Sequence, residues 1–245
     1  MSKASLDRAY IDIDIGDSKA YEQGLAAFER GSAFFESIKD QYGLSGTLSQ
    51  QNTDNAALVE EAYAADPNWA SQGPFSAEKP APLRAGRIVV ELNRQQAPKA
   101  VENFVCLCTG ERGVGKSSGK PLHYKGNRFH RIVKGFVCQG GDIVRGDGSS
   151  GDSIYGGKFN DDKGGLKLPH DAAGVVGMAN SGKNSNTSQF YFTLAAAPQC
   201  NGKQVVVGRV VEGLDILRRI DEEAASADGT PRQDVVIADC GVLLS

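Results

Sequence analysis

Gly135-Phe136-Val137-Cys138-Gln139-Gly140-Gly141-Asp142, with Phe129-His130-Arg131-Ile132 just before it, sets an aromatic ring, an uncharged amide and a guanidinium in one short stretch. Further on, Met178-Ala179-Asn180 and Ser188-Gln189-Phe190-Tyr191 add a second apolar and amide-rich segment. Neither block holds a nucleophile–base pair or metal-ligand spacing, so no metal and no cofactor is expected. The two blocks instead suit an extended peptide held on an apolar, amide-lined surface with one cation against it.

The bulk numbers narrow the classes. At 245 residues the chain can bury a substantial core as one or two domains. A net charge of −3, with Lys and Arg scattered through both halves, gives no footprint for nucleic acid. No stretch reaches the ~18 apolar residues of a membrane span, and Met1 to Arg8 has no apolar run of a signal peptide. The five cysteines are an odd number without C-x-x-C spacing, and Cys106 and Cys108 point apart on a helix. Reduced thiols in a cytoplasmic or nuclear protein follow, and the sequon Asn186-Thr187-Ser188 carries no weight there.

Tyr10 to Ile15 alternates apolar and polar as a half-buried strand does, ending at Gly16-Asp17-Ser18. Helical spacing then takes over through Tyr21, Leu25, Phe28, Phe35, Ile38 and Tyr42, with Gly43 as the stop. A second helix runs from a cap at Thr53 or Asp54 to Tyr63 and closes at Asp66-Pro67. Its end is similar to a tetratricopeptide helix, but a single unit makes no repeat domain. Ser71 to Pro82 reads as a linker or an ordered surface wrap. Strand character returns over Arg87–Leu92, Val205–Val211 and Val235–Cys240, with helices over Lys99–Cys108 and Gly213–Glu222. Gly115-Lys116-Ser117 is not read as a P-loop, because a helix, not a strand, precedes it and Gly119 and Pro121 interrupt the helix that would have to follow. Many short strands with few helices argue for a mainly β fold, a closed antiparallel barrel.

From Ala9 to Gly16 and from Arg84 to Leu243 these motifs, in this order, resemble the cyclophilins, a family of peptidyl-prolyl cis-trans isomerases. The resemblance implies a closed eight-stranded antiparallel barrel capped by two helices. It makes residues 1–245 a single cyclophilin-like domain, with residues 18–83 a helical hairpin inserted between the first two strands. Its apolar stripe is expected to pack on the barrel, with a protein partner as the other use. The implied activity is rotation about X–Pro bonds in proline-containing protein segments; the alternative is a proline-peptide binding or scaffold module with incidental catalysis. A monomer is expected.

The resemblance also assigns residues. Arg131 is the donor to the prolyl nitrogen, with Gln139 and Phe136 completing the catalytic set. Substrate contacts fall to His130, Val137, Ala179, Asn180, Ser181, Gln189, Tyr191, Gln199, Cys200 and Gln204. His130 is expected to pack rather than shuttle a proton. The chain departs from the pattern at Val137 for Met, Tyr191 for Phe, Cys200 for Leu, Gln204 for His and Gln199 for Trp. The last change implies weak cyclosporin binding. Gly113 to His123 resembles the loop of the divergent-loop subclass, in which Cys108 and Cys240 match a redox pair. Asp152 stands where such members carry Glu, and the shorter carboxylate is expected to reach the loop less well.

Overall fold

A computed structural model describes residues 8–243. Eight strands form one sheet in the order β3-β4-β6-β5-β7-β2-β1-β8, and every ladder is antiparallel. They are β1 (Arg8–Ile15), β2 (Arg84–Leu92), β3 (Arg131–Val133), β4 (Val137–Gly140), β5 (Val175–Met178), β6 (Phe190–Thr193), β7 (Val206–Glu212) and β8 (Val235–Leu243). The mainly β reading holds, but the barrel is not closed. β3 and β8 are the two edges, and no ladder joins them. β3 is only three residues long, so the chain just before it meets β8 instead. Phe129 N–H donates to the Val235 carbonyl, and Ile237 N–H to the Asn127 carbonyl, each at 2.9 Å, around an isolated Arg128–Val236 bridge.

Alternation across the short strands divides two functions between two faces. Ile132, Cys138, Phe192 and Val176 are successive cross-strand partners, and all four are fully buried. They join a core in which Phe190 packs on Phe104, Tyr124 and Phe129 with ring centroids 4.8–5.8 Å apart. The opposite face carries Arg131, Gln139, Tyr191 and Gly177, also successive partners. The two capping helices exist: α4 (Pro98–Thr109) and α5 (Leu214–Glu223). α4 starts with Pro at its first turn, takes the Asp162 carboxylate on its Ala100 N–H at 2.8 Å, and ends at Gly110 in the left-handed region. α5 turns Ile216, Leu217 and Ile220 inward.

Residues 17–83 form a compact unit of their own. α1 (Ser18–Ile38) is capped by the Asp17 carboxylate, and α2 (Thr53–Ala65) by Asn52 rather than by Thr53 or Asp54. Asn52 accepts from Asn55 N–H because the cap must lie outside the helix, one residue before Thr53. A four-residue helix, α3 (Pro67–Ala70), follows. Phe34 and Phe35 of the α1 stripe are buried with Leu48, Val59 and Tyr63 inside this unit. The Ser71–Pro82 stretch is the ordered wrap: Phe75 and Ala77 pack on that cluster, and Tyr63 Oη donates to the Gly73 carbonyl at 2.9 Å. No helix among the described residues is long and apolar enough to cross a membrane.

The sheet core and the inserted core are separate clusters. Replacing residues 18–83 by a short turn is therefore expected to leave a soluble protein with the same β signature by circular dichroism. Its melting temperature should stay within about 4 °C, the shift that roughly 1 kcal/mol makes in a domain of this size. An insoluble or unfolded product would show that the sheet depends on the insertion.

Candidate functional site

The face opposite the core holds a cup of ≈130 Å³ lined by Arg131, Phe136, Val137, Gln139, Ala179, Asn180, Tyr191, Cys200 and Gln204. Nine of the sequence-predicted residues thus come together. Arg131 and Gln139 are direct partners on the β3–β4 ladder, and the guanidinium donates to Gln139 Oε1 at 3.4 Å. The Arg131 Cζ lies 6.0 Å from the centre of the Phe136 ring, the outer limit of a cation–π contact.

Gln139 is oriented from behind. Its Nε2 donates to Gln189 Oε1 at 2.9 Å, while Gln189 Nε2 donates to the carbonyls of Gly148 and Ser150 at 2.9 and 2.6 Å. Gln189 is not in the lining of this cup but lines an adjoining cavity of ≈460 Å³, which shares Gln139 with it. The carbonyls it holds belong to a loop wound around one carboxylate that sequence reasoning missed. Buried Asp142 accepts from the backbone N–H of Val144, Arg145, Gly148 and Ser150 and, at 2.7 Å, from the Ser150 hydroxyl. Burial alone would raise its pKa, but these donors outweigh it and hold the carboxyl well below the usual range. The glycines at 141, 146 and 148, all in the left-handed region, were the available signal of a loop folded on a central acceptor.

The aromatic floor differs from a plain hydrocarbon wall. Tyr191 turns its hydroxyl away from the cup to buried His170, with Oη and Nε2 2.8 Å apart, and His170 Nδ1 faces Asn201 Oδ1 at 3.1 Å. Position 177 must be glycine for this, because a Cβ there would collide with the Tyr191 hydroxyl. Burial first, then Cys200, pushes the Tyr191 hydroxyl far up, so it stays a neutral phenol.

Three expected residues lie elsewhere. Gln199 is exposed on the turn Pro198–Cys200 and is not in the cup lining. Ser181 is exposed and donates to Ser185 Oγ. His130 is half-buried against Gly148, its buried Nδ1 has no hydrogen-bond partner, and burial lowers its pKa below the usual imidazole value. It is neutral at pH 7, which leaves Arg131 as the cation of the cup.

The loop at Gly113–His123 folds as a small hairpin, with Gly115 N–H donating to the Lys120 carbonyl at 2.8 Å. Asp152 reaches it. Its Oδ2 accepts from Ser118 N–H at 3.0 Å and from Ser118 Oγ at 2.7 Å. Gly115 makes the shorter side chain sufficient, since a Cβ there would run into that carboxylate.

Three comparisons fit this geometry. The model of the family described as cyclophilin type peptidyl-prolyl cis-trans isomerase/CLD matches residues 81–242. Peptidyl-prolyl cis-trans isomerase CYP21-1 of Arabidopsis thaliana is 54% identical over 158 residues, covering 64% of this chain and 69% of that protein. Peptidyl-prolyl cis-trans isomerase cyp11 of Rhizopus delemar is 50% identical over 161 residues, covering 66% of this chain but 47% of that longer protein.

Asp142→Asn should lose about 2–4 kcal/mol of stability at pH 7, because an amide nitrogen would face several N–H donors. The folded pKa is depressed below the unfolded ~3.9, so the carboxylate's contribution is complete above about pH 5 and is lost as pH falls through the unfolded toward the folded value. Urea titrations at pH 7, 4 and 2.5 should show wild type and variant converging. A pH-independent difference would mean that the charge is not what matters.

Proposed function

The chain belongs to the cyclophilin-type peptidyl-prolyl cis-trans isomerase family, and we propose that Arg131 is the group that lowers the isomerisation barrier in it. The reaction is rotation about X–Pro bonds, and it makes no covalent intermediate. Amide resonance sets a barrier of ~18–20 kcal/mol. A hydrogen bond to the prolyl nitrogen localises its lone pair and weakens the partial double bond.

In this reading the proline ring enters the cup against Phe136, Val137 and the Tyr191 ring. The preceding carbonyl turns while Arg131 donates to the prolyl nitrogen. The observation that carries the reading is the cross-strand row Arg131–Gln139–Tyr191, which sets a permanent cation beside an apolar floor. Gln139 holds the guanidinium on that side, and Gln189 holds Gln139. Val137 and Cys200 are smaller than the residues that the family resemblance leads one to expect, so the cup accepts proline with less contact. Ala179, Asn180 and Gln204 wall its other side and meet the peptide backbone.

Arg131→Ala should reduce kcat/KM on a proline tetrapeptide by about 30- to 150-fold, the loss of ~2–3 kcal/mol from the transition state. Equal rates would remove Arg131 from the mechanism, and no turnover by wild type would leave a proline-binding module. With Gln199 exposed and no indole at that position, cyclosporin binding should be weak by calorimetry and strengthened by Gln199→Trp. Tight binding by the unaltered protein would refute this.

Cys108 of α4 and Cys240 of β8 carry the second part of the proposal, a redox pair beside the Gly113–His123 loop. Both are buried, and burial first, then a hydrogen bond with Cys240, pushes the Cys108 thiol up. Peroxide would take two electrons and two protons from the pair, leaving a disulfide and two waters. Because the thiolate reacts and is scarce, the rate should rise about tenfold per pH unit between 7 and 8. Mass spectrometry after mild peroxide should show the linked Cys108–Cys240 peptide. Its absence at both pH values would leave two inert core thiols.

A further inference from the structure

Asn180 lines not only the cup but two further cavities on the same face. Past Gln204 lies a trough of ≈490 Å³, walled by Asn180, Gly182, Lys183 and residues 202 to 204 with Asp161 and Leu166. Its walls are tied, since Asn180 Nδ2 donates to the Lys203 carbonyl at 3.1 Å. At the junction of trough and cup, Gln204 Oε1 is buried without a hydrogen-bond partner. An acceptor left open there suits a peptide N–H passing from one to the other.

The charges of this surface are one-sided. Lys183 and Lys203 line the trough and are exposed, and among the described residues the lysines in ion pairs are Lys39, Lys125 and Lys134. The trough's one carboxylate, Asp161, is already spent. Its Oδ1 accepts from Asn186 Nδ2 at 2.7 Å and its Oδ2 from Asn184 N–H at 2.8 Å. On the other side of the cup, a cavity of ≈460 Å³ holds Lys158 as its only charged side chain. Among the described residues, neither of these two ammonium groups over a trough continuous with the cup has an ion-pair partner.

We propose that Lys183 and Lys203 bind an anionic side chain, carboxylate or phosphate, of the segment whose X–Pro bond occupies the cup. The substrate class is then an acidic proline-containing segment. This rests on the isomerase reading of the cup. Exposed ion pairs are individually weak, so the gain is modest and screened by salt. Two together should raise kcat/KM by about three- to tenfold at low ionic strength.

The test measures isomerisation by NMR exchange on heptapeptides with one central proline, preceded by Ala in the all-neutral peptide. Glu, Lys or phosphoserine is placed in turn at each position from three before to three after the proline. At one position or more, Glu should exceed Ala by about three- to tenfold and Lys should fall below it. Phosphoserine above Glu assigns the phosphate source, and Glu at or above phosphoserine the carboxylate source. The gain should vanish in Lys183→Ala/Lys203→Ala and at high salt, with the all-neutral peptide within about twofold of wild type. No turnover of the neutral peptide by wild type would remove the isomerase reading itself. Turnover without charge preference, or a preference that survives the double variant, would overturn the inference alone.

Discussion

The hydrogen bond from Gln139 Nε2 to Gln189 Oε1 fixes the direction of everything at the cup. Its sense is not free. Gln189 Nε2 meets two backbone carbonyls, which only accept, so the Gln189 oxygen must face Gln139. Gln139 must then present its nitrogen backward and its oxygen forward, where the guanidinium needs an acceptor. The carbonyls are held in turn by a loop wound on Asp142. A chain of single-valued choices thus runs from one buried carboxylate to one exposed cation. Removing the charge at its base loosens a side chain it never touches, which is why stability and catalytic geometry should titrate together.

The aromatic floor shows how a polar group enters an apolar site without spoiling it. A phenol in place of a hydrocarbon ring would put an unsatisfied donor against the apolar floor of the cup, costing roughly 1–3 kcal/mol. Here the hydroxyl is carried past Gly177 to His170, where it is paired out of the ring's working face. Four positions far apart in sequence, 170, 177, 191 and 201, have to agree for this. The cup therefore stays apolar along Phe136, Val137 and the Tyr191 ring, and polar at Arg131, Gln139, Asn180 and Gln204.

What the sequence made legible follows from how each element meets water. β1 alternates because one face is buried and the other carries Tyr10, Asp12 and Asp14 toward Arg84 and Arg87, so period two is visible. β5 and β6 are buried at every residue, which erases alternation, and neither was placed as a strand from the sequence. The cup residues were legible because they cluster in short motifs. Asp142 was quoted in the opening motif yet carried no role, since its partners are mostly backbone N–H groups, invisible to residue type. The open edge was unreadable for a similar reason: the contacts beside β8 come from irregular chain at 126–129.

The place of the insertion follows from pairing rather than from composition. β1 and β2 stay paired down to Asp14 and Arg84, across a bulge after Ile13, and these two also form an ion pair at 2.6 Å, so the ladder itself holds together the two points from which the insertion leaves and returns. Closing a loop grows costlier only with the logarithm of its length. Extending a four-residue turn to the span of residues 17–83 would cost about 2–3 kcal/mol if that span were coil. It is not coil. Phe34, Phe35, Tyr63 and Leu48 are nearly fully removed from water within it, and burying one such side chain contributes about 1.5–3 kcal/mol. A segment that supplies its own core can lengthen the hairpin without drawing on the sheet, and the row Arg131–Gln139–Tyr191 lies on strands that never pair with β1.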